Sequence, residues 1–237
     1  MKNMVVASTS TLYGENYQEY LMAELQSFFS GCSTLVFIPF ARPGGISEDD
    51  YTEKVAEAFS KINISIVGLH QFADKAEALQ HAEGIFTGGG NTFLLVHQLH
   101  AYDLMSILSE VIQKGTRYLG TSAGSNITGL TMQTTNDMPI IYPKSFATLG
   151  LLPFNLNPHY IDSDSVAKHM GETRETRINE FHHLNNIAVV GLREGSWLRV
   201  SGNDIILKGS LTARLFRQNH DAVELEPETN FATVALI

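Results

Sequence analysis

Residues 120–124 read Gly-Thr-Ser-Ala-Gly, the pattern G-x-S-x-G, between a short apolar run and a small-residue stretch suited to open a helix. At such a strand-to-helix elbow the chain turns too sharply for large flanking residues, so glycines on either side let Ser122 lift its hydroxyl above the sheet edge. The amide of Ala123, at the helix start, faces the same space and can stabilise an oxyanion. A second cluster, Gly88-Gly89-Gly90-Asn91-Thr92, follows another apolar run. Its spacing is not G-x-G-x-x-G and no acidic residue ends a strand about 20 positions later, which argues against a dinucleotide loop. Gly89 and Gly90 are candidates for the other half of the oxyanion hole, with a plain tight turn as the alternative.

An activated serine needs a base, and nine histidines compete. His81, His97 and His100 fall on helical patterns, and His182 and His183 sit at a helix end, where imidazolium suits the dipole. His70, His169 and His220 carry no special context. His159 differs: in Asn157-Pro158-His159-Tyr160 a proline fixes the backbone just before a residue that must hold one orientation. His159 is the expected base. The carboxylate that orients it is either Glu194, in Gly191-Leu192-Arg193-Glu194-Gly195, or Asp137, in Thr134-Thr135-Asn136-Asp137-Met138-Pro139. Local sequence leaves both open. His97 and His100 lack an H-E-x-x-H frame or paired cysteines, so no metal site is expected. Arg174 and Arg177 share a helical face near Glu172 and Glu175. That is either a solvated ion-paired face or a guanidinium clamp for a substrate carboxylate. Asn91, Tyr160 and Thr121 are candidates to line the pocket.

The elements that must hold these residues read as a parallel α/β pattern. Strands are expected at Met4–Ala7, Thr34–Pro39, Ile62–Leu69, Gly84–Thr87 and Arg117–Gly120. Helical spacing covers Tyr17–Phe29, a stretch after the Ser47/Asp50 capping box, Asp74–His81, a stretch opened by Asp103, and Thr173–Leu184. Residues 132–158, with four prolines and no clear period, should be loop-rich and close to a site. From Ile187 onward, short strands punctuated by glycines predict antiparallel hairpins at one edge of a mixed sheet.

Composition narrows the class. The chain has 237 residues, 43% hydrophobic and 17% charged, as expected for one globular α/β domain spanning residues 1–237. A net charge of −9 and the lack of any basic run argue against nucleic acid. One cysteine, Cys32, and the absence of a signal-peptide core or an 18-residue apolar stretch predict a cytoplasmic protein off the membrane.

Taken together, the segments Val36-Phe37-Ile38-Pro39-Phe40-Ala41, Gly88–Phe93, Ser122-Ala123-Gly124, Thr135–Ile140, Asn157-Pro158-His159, Gly171–Glu175 and Glu194-Gly195 resemble, in the same order, those of the peptidase E family of serine α-aspartyl dipeptidases. The resemblance implies a class I glutamine amidotransferase-like fold, cleavage of dipeptides with an amino-terminal aspartate, and no metal or cofactor. It matches Ser122 to the nucleophile and His159 to the base, and it favours Glu194 over Asp137 because related folds place a carboxylate late in the chain. Thr121, Ser125 and Arg193 depart from the family pattern, Arg193 standing where a proline is expected. A sibling hydrolase of cyanophycin-like or isoaspartyl bonds and a non-catalytic ligand-binding module are the alternative functions. Small peptides are the expected partners, and a homodimer is an open option.

Overall fold

The computed structural model of the protein describes residues 1–162 and 171–236. Five apolar runs form strands β1 (Asn3–Ala7), β2 (Thr34–Ile38), β3 (Ser65–Gly68), β4 (Gly84–Thr87) and β5 (Arg117–Thr121). Between them lie helices α1 (Met22–Phe28), α2 (Glu48–Ser60), α3 (Lys75–Gln80), α4 (Thr92–Ala101) and α5 (Met105–Lys114), and a single turn, α6 (Ala123–Asn126), follows β5. The later chain supplies β6 (Asn155–Pro158), α7 (Arg174–Leu184), β7 (Val189–Leu192), β8 (Trp197–Ser201), β9 (Asp204–Lys208), β10 (Ala213–Phe216) and β11 (Val223–Leu225).

The main sheet runs β3-β2-β4-β5-β1-β8-β9, and its first five strands are parallel. Met4, Val5, Val6 and Ala7 of β1 are all fully buried. A strand covered by helices on both faces reads as a continuous apolar run rather than an alternating one. β8 and β9 form the expected antiparallel edge hairpin, with Ser201 opposite Asp204 and Gly202 at φ 62° in the two-residue turn.

β7, β10 and β11 do not join that edge. With β6 they form a second sheet, ordered β11-β10-β7-β6, in which β6 and β7 are parallel. The reason lies in β7, whose four residues Val-Val-Gly-Leu are all buried. Val189 packs with Tyr160, Ile178 and Phe216, while Val190 and Leu192 face the main core. Such a strand needs cover on both sides.

Two local expectations also change. Asp103 does not open α5; it sits at φ 54° and closes α4, with Leu104 N–H donating to Leu99 O and Asp103 N–H to His100 O. That is a Schellman ending, which Asp can occupy because its short polar side chain tolerates the left-handed region. The strand expected from Ile62 begins only at Ser65, because Asn63 at φ 57° turns the chain out of α2. No helix among the described residues is long and apolar enough to cross a membrane.

Candidate active site

The carboxyl ends of β1, β4, β5, β6 and β7 converge, and each delivers one part of the site. At the end of β5, Ser122 takes φ 54° and ψ −112° as α6 begins. Holding a non-glycine residue there costs about 1–3 kcal/mol and requires a rigid frame. The frame is backbone: Ser122 N–H donates to Ala7 O (3.2 Å), and Ser122 O accepts from the amides of Ser125 and Asn126 (both 2.9 Å). The two motif glycines interlock. A Cβ on Gly120 would lie 2.4 Å from Gly124 O, and one on Gly124 would lie 2.2 Å from Thr87 O. Ser125, fully buried, sets its hydroxyl between Ala7 O (2.6 Å) and Gly120 O (2.7 Å).

The glycine turn after β4 presses on this elbow. A Cβ on Gly89 would sit 3.0 Å from Ser122 Cβ, and one on Gly90, at φ 147°, would sit 2.2 Å from Ala41 O. Its amides are not equivalent: Gly88 donates to Ile38 O, Asn91 to Ala41 O, and Gly89 to the hydroxyl of Tyr51 at 3.1 Å. Gly90 N–H has no acceptor among the described residues, so of the two expected glycines it is the one with a donor to offer.

His159 follows β6 and also has φ 54°. Its Nε2 lies 2.8 Å from Ser122 Oγ and its Nδ1 2.5 Å from Glu194 Oε1. An ionised carboxylate only accepts, so Nδ1 carries the proton and Nε2 accepts from the serine hydroxyl. Register explains the pairing: Pro158 stands opposite Leu192 in the parallel β6–β7 ladder, and both strands release their next residues at the same edge. The Asn157-Pro158-His159 segment is locked to the Thr134–Asp137 loop. Asn157 Nδ2 donates to Thr134 O and to Asn136 Oδ1 (both 2.8 Å), and Asn136 Nδ2 donates to Pro158 O at 2.7 Å.

Asp137, the other carboxylate expected, is not against His159. Its Oδ2 accepts from Thr92 N–H (2.7 Å), Thr92 Oγ (2.6 Å) and Thr135 Oγ (3.0 Å), so it caps α4. Asn91 is likewise occupied, accepting from Leu94 N–H and donating to Met138 O. Tyr160 is 3% exposed, with its ring between Phe216 and the Arg193 guanidinium, and burial pushes its hydroxyl up to about 12. Thr121 is fully buried. Both side chains are therefore packed into the interior. His97 and His100 each bond a different loop carbonyl, of Tyr142 and Ala147. His169 lies outside the described residues.

On α7 the two arginines separate. Arg177 is exposed and 3.6 Å from Glu172. Arg174 is half-buried and forms no hydrogen bond or ion pair among the described residues; burial first, and then repulsion from Arg177, lower its pKa, with Asp137 opposing. Arg193 donates to both oxygens of Asp162 (2.8 and 2.7 Å) and to Glu224 (2.9 Å), tying the segment after His159 to the loop that carries Glu194. Ser8, Asn136 and Tyr51 escaped the sequence reading. The one signal available for Ser8 was a polar residue immediately after a strand apolar on both faces.

A serine on a strained strand-to-helix elbow, linked through imidazole to a carboxylate at the carboxyl end of a mostly parallel sheet, is the arrangement of a serine hydrolase. The pattern of peptidase family S51 matches residues 4–208. Peptidase E of Streptomyces coelicolor is 42% identical over 223 residues, covering 94% of this chain and 90% of that protein. A Drosophila melanogaster protein described as a probable alpha-aspartyl dipeptidase is 40% identical, covering 95% and 94%. In fold, the crystal structure of a peptidase from an acI-B1 Actinobacterium superposes with a TM-score of 0.69 at 15% identity, covering 97% of this chain and 96% of that one. The chain belongs to peptidase family S51 and is a serine peptidase.

Proposed function

We propose that this peptidase hydrolyses dipeptides with an amino-terminal aspartate through an acyl-enzyme on Ser122. The hydrogen-bonded series Ser122–His159–Glu194 carries the reading. His159 Nε2 takes the proton of Ser122 Oγ as the oxygen attacks the carbonyl of the aspartyl residue. The amides of Ala123 and Gly90 receive the oxyanion, the first because the opening N–H groups of a helix lack internal acceptors and the second because it has no acceptor among the described residues. His159 then returns the proton to the leaving amine, and water, activated in the same way, releases aspartate and restores Ser122. Glu194 holds the Nδ1–H tautomer and stabilises the imidazolium.

Arg174 is proposed to read the aspartyl side-chain carboxylate. Among the described residues its half-buried guanidinium has no partner, so it has lost part of its hydration and gains most from an incoming anion. The name of the Drosophila relative favours the same substrate. The test is a panel of purified dipeptides, Asp-Leu, Ala-Leu, Glu-Leu and isoaspartyl-Leu, with the wild type and Ser122→Ala. Turnover of Asp-Leu alone, abolished in a folded Ser122→Ala variant, is expected. Retained turnover in that variant refutes the nucleophile, and faster cleavage of isoaspartyl-Leu refutes the substrate.

A further inference from the structure

Ser8 is the first residue after β1 and is fully buried. Its hydroxyl donates to Leu192 O at 2.7 Å and accepts the N–H of His159 at 2.9 Å, while its own amide donates to Ser196 O at 3.1 Å. Leu192 O also receives Tyr160 N–H at 3.1 Å. One residue upstream, Ala7 O accepts the amide of Ser122. Two consecutive residues thus touch the elbow under Ser122, the backbone of His159, and the chain two residues before and two residues after Glu194.

These contacts need a hydroxyl, because only a group that donates and accepts at once can satisfy both the Leu192 carbonyl and the His159 amide. They also fall where they matter. His159 has left-handed φ, which an L-residue with a side chain adopts only when its surroundings hold it there. Without the Ser8 oxygen, His159 N–H loses its acceptor, and the peptide can relax toward an ordinary conformation that swings the imidazole off the Ser122–Glu194 line.

We propose that Ser8 is a positioning residue for hydrolysis: its hydroxyl fixes the strained backbone of His159 so that the ring bridges Ser122 and Glu194. This rests on the assignment of Ser122 as nucleophile and His159 as base. It differs from an ordinary buried serine, whose loss lowers stability but leaves each folded molecule fully active.

The test compares Ser8→Ala, Ser8→Cys and Ser8→Thr with the wild type, with Ser122→Ala as reference. For Ser8→Ala, kcat for Asp-Leu should fall at least about tenfold, and at most on the order of 100-fold, the scale set by small misplacements of a catalytic group. KM should change little, because no group that binds substrate is touched. Labelling of Ser122 by a small fluorophosphonate, which needs the base but not aspartyl recognition, should slow in parallel. Ser8→Thr keeps the hydroxyl and should recover most of kcat. If the alanine variant does not fold, Ser8→Cys, similar in size but a weak hydrogen-bonding group, carries the same expectation. A folded Ser8→Ala or Ser8→Cys enzyme with wild-type kcat and labelling rate overturns the proposal, whatever its Tm. Turnover by Ser122→Ala would instead overturn the assignment of the nucleophile, so the two failures are distinguishable.

Discussion

Replacing Glu194 tests the order of the site more directly than any other change. Its carboxylate meets His159 Nδ1 at 2.5 Å, and the side chains are 48% and 35% exposed. A hydrogen bond to a charged group contributes about 1.5–3 kcal/mol, which at about 1.4 kcal/mol per decade is about 10- to 150-fold in rate. The exposure decides where in that range the effect lies, since water can partly replace the carboxylate around the imidazolium. We expect Glu194→Ala to lower kcat for Asp-Leu by about 10- to 50-fold, well short of the about 10⁴-fold lost when an amide replaces the buried aspartate of the trypsin-type triad and holds the wrong tautomer. In Glu194→Gln the amide can donate to Nδ1 and hold the imidazole in the wrong tautomer, so it should lose at least as much as Glu194→Ala. Asp137→Asn is the control, because an amide oxygen can still cap Thr92 and the chemical step should be nearly untouched. The assay is steady-state kinetics with kcat and KM resolved, alongside Tm. If both Glu194 variants keep kcat within about threefold while Asp137→Asn loses it at unchanged KM, Asp137 is the acid and the reasoning from hydrogen-bond geometry fails.

Arg174→Ala should raise KM for Asp-Leu and erase the preference over Ala-Leu, whereas Arg177→Ala, removing an exposed and already paired guanidinium, should change either by less than about threefold. Gly124→Ala, which drives a Cβ to 2.2 Å from Thr87 O, should cost about 1–3 kcal/mol, seen as a Tm lower by several degrees with a matching loss of kcat. Arg193→Ala should reduce stability most at neutral pH and least in acid. Hydrogen bonds from Arg193 hold the carboxyl of Asp162 below its usual range; for Glu224 burial opposes, and Arg193, Thr212 and Arg214 together outweigh it. A carboxylate with a depressed folded pKa contributes fully above its unfolded value, near about 4, and loses that contribution as pH falls through the folded one. Urea unfolding of wild type and variant at neutral and acid pH should therefore give curves that converge as pH falls below about 4.

The elbow was legible in the sequence because a steric demand writes itself into residue type: only glycine fits where the next backbone carbonyl lies 2.2–2.4 Å from a Cβ. The Ser47 cap was legible too, accepting from Asp50 as the capping-box spacing implies. Local pattern left both Glu194 and Asp137 open, since both are loop carboxylates among polar neighbours, and only the family resemblance favoured Glu194. What separates them is the pairing of Pro158 with Leu192, a contact between segments 34 residues apart that no local pattern encodes. Turn chemistry likewise predicted the β8–β9 hairpin but could not say that β10 would pair with β7 and β11 with β10. Asp103 misled because aspartate suits both a helix start and a left-handed helix end.

Charge distribution leads to a last expectation. At neutral pH Asp-Leu carries two carboxylates and one ammonium, and a protein of net charge −9 repels it at long range. Attraction must then be local. Of the four arginines on α7, the Glu194 loop and β10, Arg177 faces Glu172, Arg193 holds Asp162 and Glu224, and Arg214 holds Glu175 and Glu224. Arg174 forms no ion pair among the described residues and is partly screened from water. Salt therefore acts on two opposed effects of unequal reach: it damps the diffuse repulsion strongly, while a contact to the half-buried Arg174 guanidinium, much shorter than the ~8 Å screening length of physiological salt, is damped less. kcat/KM for Asp-Leu should stay level or rise as sodium chloride is raised from about 20 to about 300 mM, a range over which the screening length falls from roughly 20 Å to roughly 6 Å. A steep fall would mean that a distributed positive field captures the substrate, and Arg174 would lose its claim to be the group that reads it.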